Sequence, residues 1–289
     1  MSEEYSTDGI VASTLDLFLR NERRSEGVRP TACGTGLRGS QAYVCDRQIA
    51  FQAARVPECE ELPYTTLLAF NFGDAMHEKV QAALQALWGD FESEVKVDLR
   101  PLGYDISGHA DGHNVIDGTG TVIEIKTMKA YPFKLAKGGE FKIEHALQAG
   151  IYALGLGADS IHLVYICKEG NFRDKVTAGD TLEFRIGMDE VVPGYGQTLR
   201  SLVVEELDRL QRVWDQVKDG VVPARWIPGH GHVEQVPSYL QKKVSPWNCA
   251  YCSFNSACRS MPTQAVPVEF APTAVKESWN PPVEAEVAA

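Results

Sequence analysis

The sequence contains no apolar run that approaches the roughly 20 residues needed to span a lipid bilayer. Its first residues, MSEEYSTDG, are polar and acidic, so we expect them not to act as a signal peptide. The chain has 7 cysteines, and without an export signal these are more typical of thiols or metal ligands than of a disulfide framework. The expected location is therefore the cytoplasm.

Positive charge is also scarce, with 28 Lys and Arg against 39 Asp and Glu and a net charge of −11. This balance argues against broad nonspecific binding of nucleic acid. Residues 126–142, KTMKAYPFKLAKGGEFK, differ from the rest, with five lysines and one glutamate. Because salt screens charges beyond about 10 Å, such a local basic surface can attract a phosphate backbone. A solvated loop is the other interpretation.

Two common nucleotide-binding patterns are missing. Gly34-x-Gly36-x-x-Gly39 formally matches the dinucleotide fingerprint, but Arg29-Pro30 precedes it in place of a strand, and no βαβ unit follows. The chain also lacks a Walker-type loop, which makes an enzyme of small phosphorylated substrates a weaker interpretation. We see no internal repeat.

What is present is enough apolar sequence, 44% of 289 residues, to bury a full core. Hydrophobic periodicity predicts an α/β (α+β) class, with a central mixed β-sheet flanked by helices. Helices are expected at 13–20, 41–55, 72–88, 143–156 and 195–219, and strands at 92–99, 104–110, 112–116, 121–127, 160–167 and 181–187. The lysine-rich segment between them is expected to be a loop.

The most informative stretch is residues 106–126, ISGHADGHNVIDGTGTVIEIK, which predicts a β-hairpin with its turn at residues 117–120. Alternation places Glu124 and Lys126 on one face and Ile125 on the other. A neighbouring strand can bring Asp111 onto the face of Glu124. Two carboxylates suit a hard cation such as Mg²⁺ or Mn²⁺. A lysine beside them suits an anionic substrate or a water that must lose a proton, although Glu-x-Lys alone is usually a solvated strand face.

An acidic residue, a gap and then acidic-x-Lys resembles the motif of the PD-(D/E)xK nuclease superfamily. Two helical features occur in the order found in its RecB-like members: Gly73-x-x-x-His77 before the hairpin and Gln148-x-x-x-Tyr152 after it. A lone helical histidine is more often structural. Residues four apart share a helix face, where an amide and a phenol can touch a nucleotide.

This resemblance implies a restriction-endonuclease-like core and a metal-dependent DNA exonuclease that acts on single strands or frayed ends. The implied ligands of Mg²⁺ or Mn²⁺ are His77, Asp111, Glu124 and the backbone carbonyl of Ile125. The implied catalytic residues are Asp111, Glu124, Lys126, Gln148 and Tyr152. The alternative is a catalytically silent module that binds DNA or a protein partner.

Three cysteines near the C-terminus, Cys249, Cys252 and Cys258, have C-x₂-C-x₅-C spacing, which suits a metal and requires a fourth ligand. Cys45, Cys33 and Cys59 are the candidates, since Cys167 ends an apolar strand and is expected to be a core thiol. Four thiolates fit either zinc or a [4Fe–4S] cluster. The pair His230 and His232 is interpreted as a loop feature.

Cys45 resembles the single N-terminal cysteine of RecB-like iron–sulfur nucleases, which include the CRISPR-associated exonuclease family. The resemblance implies a structural [4Fe–4S] cluster held by Cys45, Cys249, Cys252 and Cys258. It also implies a phage or CRISPR context, hence host cytoplasm if phage-encoded. The implied partners are DNA and either a second copy of the chain or a protein of recombination, repair or spacer acquisition.

We divide the chain accordingly. The segments are 1–30, an N-terminal helix and linker; 31–71, the N-terminal helical part of an iron–sulfur subdomain; 72–220, the nuclease core; 221–260, the cysteine segment that closes the cluster; and 261–289, a disordered tail.

Overall fold

The computed structural model describes residues 10–26, 36–226, 249 and 251–281. Its helices are α1 (Ile10–Glu26), α2 (Asp46–Ala53), α3 (Tyr64–Leu87), α4 (Ala130–Lys137), α5 (Ile143–Leu156), α6 (Leu199–Lys218), α7 (Asn255–Arg259) and α8 (Thr273–Ser278). Its strands are β1 (Leu37–Arg38), β2 (Glu92–Asp98), β3 (Ile106–Ile116), β4 (Thr119–Met128), β5 (Ser160–Cys167), β6 (Thr181–Gly187), β7 (Val221–Val222) and β8 (Val266–Pro267). None of the helices in these ranges is long and apolar enough to cross a bilayer.

A mixed sheet forms the centre of the fold, as the sequence predicts. Its order is β1-β3-β4-β5-β6, and β2 pairs with the other edge of β3. The β1–β3 and β4–β5 pairs are parallel, whereas β2–β3, β3–β4 and β5–β6 are antiparallel. The parallel strands β4 and β5 are connected through α4 and α5. A parallel pair requires a long crossover connection of this kind.

Helices cover both faces of this sheet. The main core packs α5 and α6 against one face, with Leu147, Ile151 and Leu163 among its fully buried members. On the other face, Ile123 and Ile125 of β4 pack with Met76 and Val80 of α3. Strand β4 is therefore buried on both sides, which explains its nearly continuous β-branched sequence.

The β3–β4 hairpin forms as predicted, with a tighter turn than expected. Asp117 and Gly118 alone make the turn, with φ angles of 52° and 77°, and Ile116 pairs directly with Thr119. Two successive left-handed residues define the type I′ turn, for which Asp-Gly is a favoured sequence. Thr119 and Gly120, assigned to the turn from the sequence, belong to β4.

Helix α1 is longer than its predicted range of 13–20, and α6 begins at Leu199 instead of residue 195. Three further predictions differ in ways that affect the site. Helix α3 begins at Tyr64, eight residues before the predicted start, so His77 lies in its middle. Helix α2 begins at Asp46, with Cys45 as its N-cap, and not at residue 41; residues 39–41 form a short 3₁₀ turn. The lysine-rich loop contains α4, whose buried residues Ala130, Phe133 and Ala136 recur every three positions beneath the exposed lysines.

The predicted disorder from residue 261 is wrong for residues 261–281. Strand β8 pairs with β7, and Val275 of α8 is 1% exposed. The Trp279 indole donates a hydrogen bond to the Val217 carbonyl at 3.3 Å. The segment is rich in Pro, Ala and Glu, so its sequence shows no apolar pattern. Two side chains, Val275 and Trp279, nevertheless hold it against the rest of the fold.

Candidate active site

A gap in the sheet between β3 and β4 defines the candidate site. Pairing of β3 with β4 runs from Ile116↔Thr119 to Gly112↔Ile123 and goes no further. Strand β1 pairs with β3 at residues 106 and 107, where Ser107 also pairs with Asp98 of β2. Since β2 occupies one edge of β3 there, β1 and β4 share the other edge. Residues 108–111 face the opening between them.

Asp111 lies at the start of this gap. Its Oδ2 accepts a hydrogen bond from the Ile125 backbone N–H at 2.7 Å, in place of a strand-to-strand bond. The Nδ1 atom of His77 lies 3.5 Å from the same Oδ2. The carboxylate of Asp111 is thus fixed between β4 and α3.

Glu124 and Lys126 point to the side of β4 opposite Ile123 and Ile125, as alternation predicts. The Lys126 ammonium forms an ion pair with Oε1 of Glu124, and Oε2 is buried with no hydrogen-bond partner among the described residues. Burial, with the negative charge of Asp111, raises the pKa of Glu124 to about 7 despite the opposing effect of Lys126. Burial disfavours the charged ammonium, but the two carboxylates outweigh it and raise the pKa of Lys126.

His77 reaches the site from α3, on the other face of the sheet. Burial lowers the pKa of its imidazole, but the bond to Asp111 and that carboxylate's charge outweigh it, so the pKa of His77 is raised. Within residues 10–26, 36–226, 249 and 251–281, no three or more His, Cys, Asp or Glu side chains are arranged as a ready-made metal site. The donor chemistry still suits a hard cation, because two carboxylates meet and one buried oxygen lacks a partner.

Gln148 and Tyr152 of α5 border the same gap. The Tyr152 hydroxyl hydrogen-bonds with Gln148 and with Ser40, while burial and the charges of Glu124 and Asp111 raise its pKa. A Cβ placed on Gly108 would come 2.7 Å from the Tyr152 hydroxyl, so only glycine leaves room for the ring there. The structure therefore places this sequence-predicted pair beside the carboxylates.

The lysines of residues 126–142 are largely neutralised. Lys134 and Lys137 pair with Asp174 and Asp180, at 2.8 and 3.0 Å. Lys142 lies 3.8 Å from Glu144, and Lys126 is paired with Glu124. Two of these acidic partners, Asp174 and Asp180, lie just before β6. The basic surface predicted from the local sequence is therefore weaker than its composition indicates.

The cysteines gather at the end of the molecule near α2 and α7. A guanidinium nitrogen of buried Arg47 lies 3.8 Å from Sγ of Cys258, and the same guanidinium is also influenced by Cys45. Burial raises the pKa of Cys45 to about 11. Burial, and then the charges of Cys258, Cys249 and Cys59, raise the pKa of Cys252.

Cys59 adjoins this group, because its N–H donates to the Ser253 carbonyl at 2.8 Å. Cys167 is buried in the main core, as predicted. Cys33, His230 and His232 lie outside the described residues. The thiols have the chemistry that a zinc or iron–sulfur site needs, although those described are not arranged as one.

Sequence reasoning missed Gln81, Glu94 and Ser40. Gln81 contacts both Asp111 and Glu94, and Ser40 contacts Tyr152. One signal was available, since Gln81 follows His77 by four residues and therefore shares its helix face. Nothing local marks Glu94 or Ser40.

Comparison with known proteins gives one decisive match. The family model described as the PD-(D/E)XK nuclease superfamily matches residues 41–259. No curated protein matches the sequence significantly.

Solved structures are more distant. The crystal structure of SSO0001 is similar with a TM-score of 0.49 and 19% identity, over 89% of this chain and 100% of that one. The crystal structure of an alkaline exonuclease (LHK-Exo) from Laribacter hongkongensis is similar with a TM-score of 0.40 and 16% identity. The match covers 64% of this chain and 92% of that one. The structure of its complex with dAMP is similar with a TM-score of 0.41 and 17% identity, over the same shares of the two chains.

Proposed function

The chain belongs to the PD-(D/E)XK nuclease superfamily, and from this premise we propose that it is a metal-dependent DNA exonuclease. It hydrolyses phosphodiester bonds at single-stranded or frayed DNA ends. The observation that carries the proposal is the meeting of Asp111, Glu124 and Lys126 at the gap between β3 and β4. A buried carboxylate with an unpartnered oxygen is costly in a protein, and it is accounted for if a cation binds there.

In this proposal, Asp111 and Glu124 hold Mg²⁺ or Mn²⁺, together with His77 and the backbone carbonyl of Ile125. A bound divalent ion would polarise the scissile phosphate and lower the pKa of an attacking water. Lys126, kept protonated by its carboxylate neighbours, stabilises the negative charge that develops on the phosphoryl oxygens or orients the water. Gln148 and Tyr152 position the strand at the opening of the gap.

We further propose that Cys45, Cys249, Cys252 and Cys258 hold a [4Fe–4S] cluster with a structural role. Cys45 is the N-cap of α2, and the other three belong to the C-terminal segment. A cluster here would join α2 to α7 across about two hundred residues of chain. The contact of Arg47 with Cys258 supports this pairing of segments.

The test is cleavage of end-labelled single-stranded DNA by protein purified without oxygen, with Mn²⁺, Mg²⁺ or EDTA. We expect shortening from an end that requires the metal and is lost in Asp111→Asn. Gel-shift binding of the same DNA without any metal-dependent cleavage would overturn the proposal in favour of a silent binding module. Blunt duplex DNA serves as the comparison substrate and should be cleaved more slowly.

A further inference from the structure

The side-chain amide of Gln81 bridges two residues at the edge of the active site. Its Nε2 donates to the backbone carbonyl of Asp111 at 2.8 Å and to Oε1 of Glu94 at 2.8 Å. Gln81 is only 8% exposed. Both N–H groups of this nearly buried amide have a hydrogen-bond acceptor. An amide in such a position can be replaced only at the cost of an unsatisfied carbonyl.

The amide sits where the β2–β3 ladder is irregular. The register passes from Ser93↔Gly112 to Val95↔Ala110, and Glu94 and Asp111 form no pair. Glu94 has a φ of 51°, in the left-handed region that a glutamate rarely adopts within a strand. The register is the same on both sides of the missing pair, so no residue is inserted. Residues held in such sparsely populated backbone regions cluster at active sites.

Asp111 is therefore held by hydrogen bonds at both its backbone and its side chain. Its carbonyl accepts from Gln81, and its carboxylate accepts from the Ile125 N–H across the gap. The amide of Gln81 therefore supplies the bond that the interrupted ladder does not, and so allows the carboxylate to reach β4.

We propose that Gln81 and Glu94 are positioning residues that fix Asp111 for the hydrolytic step. Neither needs to touch the DNA or the reacting atoms. The inference rests on the proposed function, because it concerns the same site. Loss of the amide lets the Asp111 backbone relax toward a regular ladder and draws its carboxylate away from Ile125. A displacement of about 1 Å in a catalytic group can cost about 10²-fold in rate.

The test compares kcat and KM for cleavage of a short single-stranded oligonucleotide by Gln81→Leu, Glu94→Asn and the double variant. Asn tolerates the left-handed backbone of residue 94 better than Glu, and Glu94 is exposed, so this variant retains the fold. We expect kcat to fall about 10–100-fold in Gln81→Leu and less in Glu94→Asn, with KM changing less than about 3-fold.

The matched control is Gln85→Leu, one helical turn further along α3, where the amide donates to Ser93 Oγ at 2.8 Å. Its kcat should equal that of the wild type. If the two residues act as a unit, the double variant loses no more than Gln81→Leu alone. Independent, additive losses, or an unchanged kcat in Gln81→Leu, would overturn the inference. Absence of cleavage by the wild-type protein would instead overturn the proposed function.

Discussion

The carboxylate of Asp111 accepts a hydrogen bond from the backbone N–H of Ile125 at 2.7 Å, across a gap where β3 and β4 no longer pair. A side chain thus satisfies a main-chain donor that a neighbouring strand would otherwise take. The arrangement keeps Asp111 close enough to Glu124 for its charge to raise the pKa of that residue.

Lys126→Ala should reduce cleavage by about 10²–10³-fold, because in the proposed mechanism the ammonium stabilises charge that develops in the transition state. Its side chain is 24% exposed, and Glu124, whose pKa is about 7, can bind a proton once the ammonium is removed. The alanine should therefore leave the fold intact. Lys129→Ala is the matched control, a nearby exposed lysine at the start of α4, and should keep most of the activity. Single-turnover cleavage rates measure both. Equal losses in the two variants would point to general charge attraction.

Glu124→Gln should change how stability depends on pH in metal-free protein. The pKa of folded Glu124 is about 7, above the usual value near 4.3 for a glutamate in an unfolded chain. The folded state therefore binds its proton more tightly, and wild-type stability falls as pH rises from about 4.5 to 7. The variant lacks this loss and should gain up to about 3 kcal/mol on the wild type between pH 5 and pH 8.

Urea unfolding at the two pH values, with EDTA present, measures this difference. Asp117→Asn is a control for an exposed carboxylate, since Asp117 lies in the hairpin turn and its ion pair with Arg185 is open to solvent. Its stability difference from the wild type should be nearly independent of pH. A parallel pH dependence in Glu124→Gln and the wild type would show that the Glu124 pKa is not raised.

Gly108→Ala should reduce cleavage while the protein stays folded. The added Cβ would lie 2.7 Å from the hydroxyl of Tyr152, so the ring must move away from the carboxylates. We expect a loss of about 10-fold or more in rate, in line with a displaced positioning group. Gly89→Ala is the control, because no atom lies within 4 Å of its Cβ position, and its rate should be unchanged.

Cys252→Ser should release bound iron and lower the unfolding temperature more than it changes chemistry at the carboxylates. In the proposed cluster this thiolate would be a ligand, and a serine hydroxyl would replace it poorly. Iron and sulfide analysis, with the visible absorbance of anaerobically purified protein, measures occupancy. Cys167→Ser is the matched control for a buried thiol outside the group and should retain iron. A wild-type protein that contains only zinc would contradict the iron–sulfur assignment.

Arg209→Met should destabilise the fold by about 3–5 kcal/mol, the typical cost of breaking a buried ion pair. The Arg209 guanidinium donates to both carboxylate oxygens of buried Glu206, at 2.6 and 2.8 Å, and to the Val44 carbonyl at 3.1 Å. Arg200→Met is the control, since its pair with Asp189 is exposed and should contribute less than about 1 kcal/mol. Urea unfolding of each variant gives the comparison.

Continuous apolar patterns were predicted well. The bounds of α5 and β5 agree with those expected, because an apolar strand or helix flanked by polar residues is recognised directly in the sequence. The bounds of β6 also agree, and there the signal is alternation of polar and apolar residues. The lysine-rich segment was expected to be a loop and the proline-rich C-terminal segment to be disordered. Both contain a helix, because burial there depends on partners far along the chain. The Trp279 indole donates a hydrogen bond to the Val217 carbonyl, for example, and Lys137 pairs with Asp180.

The sequence by itself determined the hairpin, the shared face of Glu124 and Lys126, and the family to which the chain belongs. These follow from local rules: a turn sequence, a two-residue alternation and a motif order. Only the tertiary structure decided that β4 leaves β3 at Asp111, that His77 arrives from the opposite face, and that Gln81 supports the aspartate. Such features depend on which strands fail to pair, and pairing is settled by contacts between distant segments.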